Sequence, residues 1–487
     1  MTWKSRTSLA AAGALCLFLL IAMGFNANTR PGGFYIPALS NAQPSHEAGR
    51  GEDMPTPAPS SQHAIEGIAT SLQVLSRFDV YGLASGECDA EFKGLFKEID
   101  RAAAHKKDTG NVTSSDIDLH WKQDGALRGM IWRQKLYILD SKIDGEYVAP
   151  RALSILHQID RAITTSPEPV PDIEFSVMIT DLPDDATTES HANHTFWALS
   201  RLSDDKNTWL MPDFGYWSWP LDLVGSYEQI RVEMAQNQLA WKDRVPKVLW
   251  RGALKTNKVR QTMYQATRGK IWADIEEIKW QNRIEVSGGS AASAISMVDH
   301  CKYQYLLHTK GRSYSGRGKY LLNCGSVVIM HKSEWIEPYQ DVYVKTGAEQ
   351  NIVEVERDFS DLEGKMQQLL HQPLLAESIA KNSQKTFRDR YMTPAAQACY
   401  WRKLFHAWAG VSFQPEPFEV VNGKTRLRGV PFETFVTVEI LRRVLILEED
   451  DLAMLIIKPE CTRPAHATRA AHHVKEESGA NSDTKPA

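Results

Sequence analysis

The sequence predicts an α/β protein with two Rossmann-like domains that face each other across a cleft. Three observations lead to this fold class. Short apolar segments typical of strands alternate along the chain with amphipathic helical segments. A loop rich in Gly, Ser and basic residues, at positions 309–317, follows one of the strand segments in the second half. The chain also has 487 residues, which is enough for two such domains and additional terminal segments.

The elements that support this alternation are short and well separated. The predicted strands cover residues 130–132, 135–139, 173–180, 247–250, 327–329 and 342–344. The predicted helices cover residues 64–75, 89–104, 151–163, 361–370, 374–390 and 393–408. We place the first domain at residues 63–245 and the second at 246–412, followed by an extension of unknown fold at 413–463 and a disordered tail at 464–487.

The N-terminus predicts a membrane attachment. Residues 8–25 form an uninterrupted apolar run of eighteen residues, preceded by Lys4 and Arg6. Such a run is at the short end of what spans a bilayer, and the flanking cations favour a cytosolic N-terminus. We therefore expect a signal anchor over residues 1–25, with a cleaved signal peptide as the alternative. A stem rich in Pro, Ser and Ala would follow at 26–62, which gives a single-pass type II protein of the Golgi or endoplasmic reticulum.

The charge balance limits the classes of partner. The formal net charge of −4 argues against a general nucleic-acid-binding protein. Any basic site must therefore be local. The segment 299–326 is the candidate, because a strand pattern leads into a basic Gly/Ser loop that opens a helix, as an anionic phosphate requires. The alternative is an ordinary strand–loop–helix connection with a solvated basic rim.

Asp181 is a candidate acid–base residue in the first half. It follows the predicted strand 173–180, and a carboxylate at the C-terminal end of a strand in an α/β sheet faces the crevice where ligands bind. The alternative is an Asx turn in front of Pro183. The aromatic and proline-rich segment 209–223 is a second candidate surface, although it is also compatible with a packed loop.

Three motifs resemble glycosyltransferase family 90, the protein O-glucosyltransferase and capsule-associated xylosyltransferase family, which includes enzymes of the lipopolysaccharide-modifying type. They are DHCKYQYL at 299–306, the Gly-x-x-x-Ser-x-Arg-x-Lys pattern at 311–319, and Leu-x-Cys-Gly-Ser at 322–326. The resemblance extends over about 173–409 and is dense from residue 248. It implies the GT-B arrangement of two Rossmann-like domains.

The resemblance also implies roles for individual residues. Asp181 corresponds to the catalytic aspartate of an Asp-aromatic-Pro motif, with Leu182 in place of the aromatic residue. Trp217 and Trp219 would line the acceptor side. The donor-binding residues would be Arg251, Thr256, Arg260, Arg312, Ser313, Tyr314, Ser315, Gly316, Arg317 and Lys319, with Arg260 and Arg317 as the clamp on the diphosphate.

The implied reaction is an inverting transfer of glucose or xylose from a UDP-sugar to a hydroxyl of a glycan or protein. No cofactor and no metal are expected, because two arginines can neutralise the leaving diphosphate. One alternative is a GT-A enzyme with a metal bound at Asp116 and Asp118. Another is a non-catalytic luminal protein that binds nucleotide sugar or glycan in wall or capsule assembly. A third is an interaction protein with a degenerate donor site.

The cysteines and glycosylation sequons fit an oxidising lumen. No pair of the six cysteines has the Cys-x-x-Cys spacing of metal sites. The resemblance implies a Cys301–Cys324 disulfide and a paired Cys399, for which we expect Cys88 as partner. Acceptor sequons begin at Asn111 and Asn193.

Overall fold

The computed structural model describes residues 77–145, 147–182, 194–219, 224–278 and 294–445. Within these ranges no helix is both long enough and apolar enough to cross a membrane.

Several predictions concern residues outside those ranges. They are the signal anchor, the stem, the helix at 64–75, the sequon asparagine Asn193 and the tail from 464.

The described residues form a mixed α/β structure. The strands are β1 (Ala126–Trp132), β2 (Lys135–Lys142), β3 (Ile173–Met178), β4 (Trp197–Ala198), β5 (Arg201–Leu202), β6 (Trp209–Leu210), β7 (Ser218–Trp219), β8 (Gly225–Ser226), β9 (Val245–Gly252), β10 (Ala273–Glu277), β11 (Tyr303–His308), β12 (Val327–His331), β13 (Trp335–Ile336), β14 (Val353–Val355), β15 (Phe418–Val421), β16 (Lys424–Leu427) and β17 (Val430–Pro431). The α-helices are α1 (Ser85–Glu91), α2 (Lys97–Thr109), α3 (Val148–Thr164), α4 (Tyr227–Gln236), α5 (Lys258–Thr267), α6 (Met297–His300), α7 (Gly318–Leu322), α8 (Leu362–His371), α9 (Pro373–Ser383), α10 (Pro394–Ala409) and α11 (Phe432–Leu445).

The second half of the chain contains a five-stranded sheet in the order β10-β9-β11-β12-β14, and all of its pairings are parallel. Every residue of β12 is buried, as expected for a strand covered on both faces. The strands alternate with helices along the chain, which agrees with a Rossmann-like second half. The carboxyl ends of β9 and β11 lead into the loops that surround the candidate site.

The first half contains a six-stranded sheet in the order β17-β2-β1-β3-β4-β6, and this sheet is mixed. Strand β1 is antiparallel to both β2 and β3, whereas β3, β4 and β6 are parallel. The β1–β2 connection has only two residues, Arg133 and Gln134, with φ angles of 48° and 64°. Two consecutive residues with positive φ form the type of tight turn that joins antiparallel strands. The sheet therefore differs from a wholly parallel one at β1, β2 and β17.

The C-terminal extension folds onto the first sheet. Strand β17 adds to the free edge of β2, and α11 packs against β2 and α3. The guanidinium of Arg428 pairs with Glu174, which is fully buried in β3 and also pairs with Arg128. The extension thus covers an edge that an exposed strand would otherwise leave open for pairing with another chain.

Two features of the second half differ from the predicted elements. Residues 342–344 were predicted as a strand, but Val342 is the last residue of a 3₁₀ helix at Gln340–Val342, and residues 343–344 follow it outside any strand. The side chain of Asn351 bonds the N–H of Val344 and the carbonyl of Val342, so these groups need no neighbouring strand. The predicted helix at 374–390 is α9 followed by a π-helix at Gln384–Tyr391.

Both predicted disulfides are present. Cys88 in α1 is bonded to Cys399 in α10, with Cα atoms 5.5 Å apart. Cys301 is bonded to Cys324, with Cα atoms 4.7 Å apart. The second bond closes the chain segment that contains the loop at 309–317, and it therefore restricts the ends of that loop.

Candidate active site

A cavity of about 350 Å³ lies beside the carboxyl ends of the parallel strands β9 and β11. Its lining combines basic, aromatic and aliphatic side chains with several glycines. The lining residues are Phe214, Gly215, Trp219, Val224, Arg251, Gly252, Ala253, Thr256, Arg260, Ile278, Ala294, Ile295, Met297, His300, Gly316, Arg317, Lys319 and Tyr320. The lining residues come from both halves of the chain. A concave, mostly apolar cavity with a few polar groups is typical of sites that bind small molecules.

Arg260 stands at the start of α5, where local capping fixes its position. The side chain of Asn257 accepts a hydrogen bond from the Arg260 N–H at 2.9 Å, as an N-cap residue does. The Arg260 guanidinium donates to the carbonyls of Lys310 and Ala253, at 3.0 and 3.2 Å, and to the Thr256 hydroxyl at 3.1 Å. All three acceptors are uncharged. Burial lowers the pKa of Arg260 to about 10, so it remains a cation at neutral pH.

Arg317 lies in the loop before α7, and its guanidinium approaches the same indole ring as that of Arg260. The guanidinium carbons of Arg260 and Arg317 are 5.8 and 5.7 Å from the centre of the Trp250 ring, and Arg317 donates to the carbonyl of Arg251. Burial, together with the charge of Arg260, lowers the pKa of Arg317 to about 9. Among the described residues no carboxylate pairs with either guanidinium. Within the described part of the chain, the cavity therefore contains two cations whose charge no carboxylate neutralises.

The loop between β11 and α7 is held by its own backbone and by two neighbouring segments. The Gly311 N–H donates to the carbonyl of Tyr314 at 2.8 Å. The amide of Asn257 donates to the carbonyls of Lys310 and Gly311, at 3.2 and 2.5 Å. The hydroxyl of Ser313, which is fully buried, donates to the backbone carbonyl of Asp181. The loop is thus attached to the end of the first-half strand that precedes Asp181.

Three other predicted donor-binding residues line the cavity but already have polar partners. Arg251 pairs with Asp274 at 2.7 Å. Lys319 is buried and pairs with both carboxylate oxygens of Asp213 at 2.8 Å. The Thr256 hydroxyl donates to the carbonyl of Ala253 at 3.1 Å. These side chains shape the wall, and among the described residues that line the cavity Arg260 and Arg317 are the cations without a carboxylate partner.

Other predicted donor-binding residues do not contribute side chains to the cavity wall. Arg312 is exposed. Ser313 points to the Asp181 carbonyl, and Tyr314 and Ser315 line a separate small cavity with Asp213 and Glu337. Gly316 does line the main cavity.

The two predicted acceptor-side tryptophans have different positions. Trp219 lines the main cavity. Trp217 does not, because its ring is packed between His157, stacked at 4.6 Å, and the guanidinium of Arg161, at 4.0 Å. Trp217 therefore supports the segment that presents Trp219.

Asp181 lies next to the cavity wall rather than in it. Its carboxylate is about one-third exposed and accepts a hydrogen bond from Arg151 at 2.8 Å. The Arg151 guanidinium in turn lies over the rings of Phe214 and Trp219, at 4.7 and 5.3 Å, and both rings line the cavity. One arginine thus connects the strand-end carboxylate with the aromatic wall of the site.

Sequence reasoning did not identify three residues at this site. Asp213 was hidden in the aromatic segment, and its pairing with Lys319 joins the two halves of the chain. Glu337 is partly buried in the small cavity, where burial and the charge of Asp213 raise its pKa to about 8 although Lys319 opposes the shift. His300 lies within the second-half motif and lines the main cavity. Its place in that motif was the available signal.

The carboxylates of the alternative metal site have local partners. Asp116 accepts a hydrogen bond from the Thr113 N–H at 2.8 Å. Asp118 accepts one from the His120 N–H at 3.0 Å. Neither residue lines the main cavity. The sequon residue Asn111 is exposed.

Sequence comparisons place the chain in a known family. The model of glycosyl transferase family 90 matches residues 87–419, more than half of the chain, and the protein therefore belongs to that family. Its relatives include Protein O-glucosyltransferase 1 of Rattus norvegicus, 25% identical over 247 residues that cover 48% of this chain and 62% of the relative. The Homo sapiens protein of the same name is 24% identical over 252 residues, which cover 49% and 63%. O-glucosyltransferase rumi of Drosophila melanogaster is 23% identical over 355 residues, which cover 65% and 83%. The chain spans less than two-thirds of the length of the rat and human relatives.

Proposed function

We propose that the protein is an inverting glycosyltransferase that moves glucose or xylose from a UDP-sugar to a hydroxyl of a protein or glycan. The observation that carries this proposal is the pair Arg260 and Arg317. Both guanidiniums are held by uncharged acceptors in the wall of a cavity, and no carboxylate among the described residues neutralises them. Such a pair fits a ligand with two adjacent negative groups, such as a diphosphate.

The chemistry of sugar transfer explains why this arrangement is useful. As the bond between the anomeric carbon and the diphosphate breaks, negative charge develops on the leaving oxygen. Fixed cations in a partly dry cavity stabilise that charge without reorganising. Two arginines supply this stabilisation from the chain itself, so we propose that no divalent metal is needed.

Asp181 is the proposed general base. It would remove the proton of the acceptor hydroxyl as that hydroxyl attacks the anomeric carbon from the side opposite the diphosphate, which inverts the configuration. Three observations support this role: Asp181 lies three residues after β3, its carbonyl is bonded to Ser313 of the loop, and Arg151 connects its carboxylate with the aromatic wall. The partly exposed carboxylate also leaves room for an acceptor to approach from solvent.

The names of the relatives favour glucose as the donor sugar and a protein hydroxyl as the acceptor. Xylose and a glycan acceptor stay within the proposal, because a pocket distinguishes the two sugars only by one hydroxymethyl group. We also propose the GT-B arrangement, which the parallel second sheet supports. A secretory-pathway lumen is the proposed location, and the two disulfides support an oxidising compartment.

The test is a transfer and hydrolysis assay of the purified luminal part with UDP-glucose and UDP-xylose, in buffer with EDTA. We expect turnover of at least one donor and full activity in EDTA. Asp181→Asn should reduce transfer by about 10²–10⁴-fold, whereas it should leave UDP binding nearly unchanged. Asp108→Asn, at an exposed carboxylate of α2, is the matched control.

The results separate the competing functions. UDP binding without turnover in the wild type would favour the non-catalytic nucleotide-sugar-binding protein. If Asp181→Asn transferred sugar as fast as the wild type, the proposed base would be wrong. Loss of activity in EDTA that Mn²⁺ restores would support a metal-dependent enzyme instead.

A further inference from the structure

His300 is a buried polar residue in the wall of the main cavity, and the proposed reaction does not yet use it. It is the last residue of α6 and only 2% exposed. The apolar residues Ala294, Ile295 and Met297 line the same cavity. A buried imidazole in a ligand cavity has to satisfy two ring nitrogens, and the partners of these nitrogens define its chemistry.

One ring nitrogen has a fixed partner. Nδ1 of His300 is 2.8 Å from the backbone carbonyl of Ser296. A carbonyl oxygen can only accept, so the hydrogen must be on Nδ1. In the neutral ring Nε2 then carries a lone pair and no hydrogen. Nε2 has no hydrogen-bond partner among the described residues.

The surroundings of the ring keep it neutral. Burial, together with the charges of Arg317 and Arg251, lowers the pKa of His300 to about 4, although the Ser296 carbonyl and Asp299 oppose the shift. Near pH 7 the residue is therefore an acceptor at Nε2 rather than a cation. A bound phosphate group has no hydrogen to donate at this pH, so His300 does not extend the arginine pair.

We propose that Nε2 of His300 accepts a hydrogen bond from a hydroxyl of the bound nucleotide sugar, either on the ribose or on the transferred sugar. This makes His300 a positioning residue that fixes the donor beside the diphosphate clamp. The inference rests on the proposed function, because it needs a nucleotide sugar in this cavity. A buried acceptor without a partner destabilises the protein, and a hydrogen bond from a ligand hydroxyl would remove that cost and so favour binding.

Two substitutions separate the two ring nitrogens. His300→Asn keeps a donor near Nδ1 for the Ser296 carbonyl but does not reach the position of Nε2. His300→Gln places an amide oxygen near Nε2. We expect His300→Asn to weaken UDP-glucose binding about three- to tenfold, the effect of one neutral hydrogen bond. His300→Gln should bind within about twofold of the wild type.

Calorimetric titration with UDP, 2′-deoxy-UDP, 3′-deoxy-UDP and UDP-glucose identifies the hydroxyl. If the ribose supplies it, His300→Asn weakens UDP as well, and one deoxy analogue binds the wild type and the variant equally. If the transferred sugar supplies it, only UDP-glucose is weakened. Either result supports the inference, and a merely structural role would weaken all four ligands alike.

A second measurement uses the wild type alone, in case the variants do not fold. In ¹⁵N-labelled histidine spectra, the unprotonated Nε2 resonance of His300 should move when UDP or UDP-glucose is added. The inference would be wrong if wild type and His300→Asn bound every probe equally. It would also be wrong if the Nε2 resonance stayed unchanged in the saturated wild type. If the wild type bound none of the probes, the proposed function itself would fail.

Discussion

Replacing Arg317 should affect stability and activity in different ways, because this residue destabilises the folded state but is required at the proposed site. Its guanidinium is charged, is held by a single uncharged carbonyl from the described residues, and lies near a second cation. Arg317→Met keeps much of the side-chain volume over Trp250 but removes the charge. We therefore expect opposite effects in a folding assay and in a transfer assay.

The magnitudes follow from the environment of the guanidinium. The pKa of Arg317 is lowered from its usual value to about 9, so the folded state holds this charge less favourably than the unfolded chain does. At 1.36 kcal/mol per pKa unit the penalty is at most a few kcal/mol. Removing the charge would recover this free energy, but losing the hydrogen bond to the Arg251 carbonyl would offset roughly 1 kcal/mol of the gain. The free energy of unfolding should therefore stay unchanged or rise by about 1–2 kcal/mol, whereas transfer should fall about 10²–10³-fold.

The assay compares thermal unfolding with and without UDP, alongside transfer rates. UDP at 100 times its Kd should stabilise the wild type by about 2.7 kcal/mol and stabilise Arg317→Met much less. The control is Arg312→Met, in the same loop but exposed and outside the cavity, which should behave as the wild type does. Transfer within tenfold of the wild type, or equal stabilisation by UDP, would refute the clamp.

Two further predictions concern neighbours of the clamp. Gly252→Ala should raise the donor KM and lower the free energy of unfolding by about 1–3 kcal/mol, because a Cβ there would lie 2.8 Å from Trp250 and 3.0 Å from Nη2 of Arg317. Enzyme kinetics and urea unfolding measure both effects, and the control is Gly364→Ala, where an added Cβ has no atom within 4 Å. If Gly252→Ala had the KM and stability of the wild type, the steric argument would be wrong. The folded-state pKa of Glu337 is raised from 4.5 to about 8, so between these pH values the native state binds more protons than the unfolded chain and becomes less stable as the pH rises. The stability of Glu337→Gln relative to the wild type should therefore increase from pH 5 to pH 8. Urea unfolding at several pH values measures this, and the same pH dependence of the free energy of unfolding in both proteins would rule it out.

The sequence predicted those features of the site that depend on local order. The strand, loop and helix around 309–317 are recognisable because a buried strand, a Gly/Ser-rich segment and a short helix follow one another in the chain. The Cys301–Cys324 and Cys88–Cys399 pairings were also predicted, with the help of a family resemblance. Local patterns also predicted the strand before Asp181, which ends at Met178, three residues earlier than Asp181 itself.

The sequence did not predict which basic residues are free to bind a ligand, because that depends on contacts between distant segments. Arg251 is occupied by Asp274, and Lys319 by Asp213, which is 106 positions away in the chain. The mixed first sheet was also missed, since a two-residue turn at 133–134 decides strand direction there. Both the ion pairs and the strand pairs join particular residues of the fold, and composition and periodicity do not specify such partners.

The uncharged character of the acceptors explains how the site remains ready for an anion. Each guanidinium of the clamp needs partners for its N–H groups when no ligand is present. Carboxylates would satisfy those groups but would also neutralise the charge, as Asp274 does for Arg251. The carbonyls of Lys310, Ala253 and Arg251 orient the guanidiniums of Arg260 and Arg317 and leave their charge available. In the proposed reaction, a diphosphate bound at this arginine pair would recover the free energy that the fold loses by holding two like charges together.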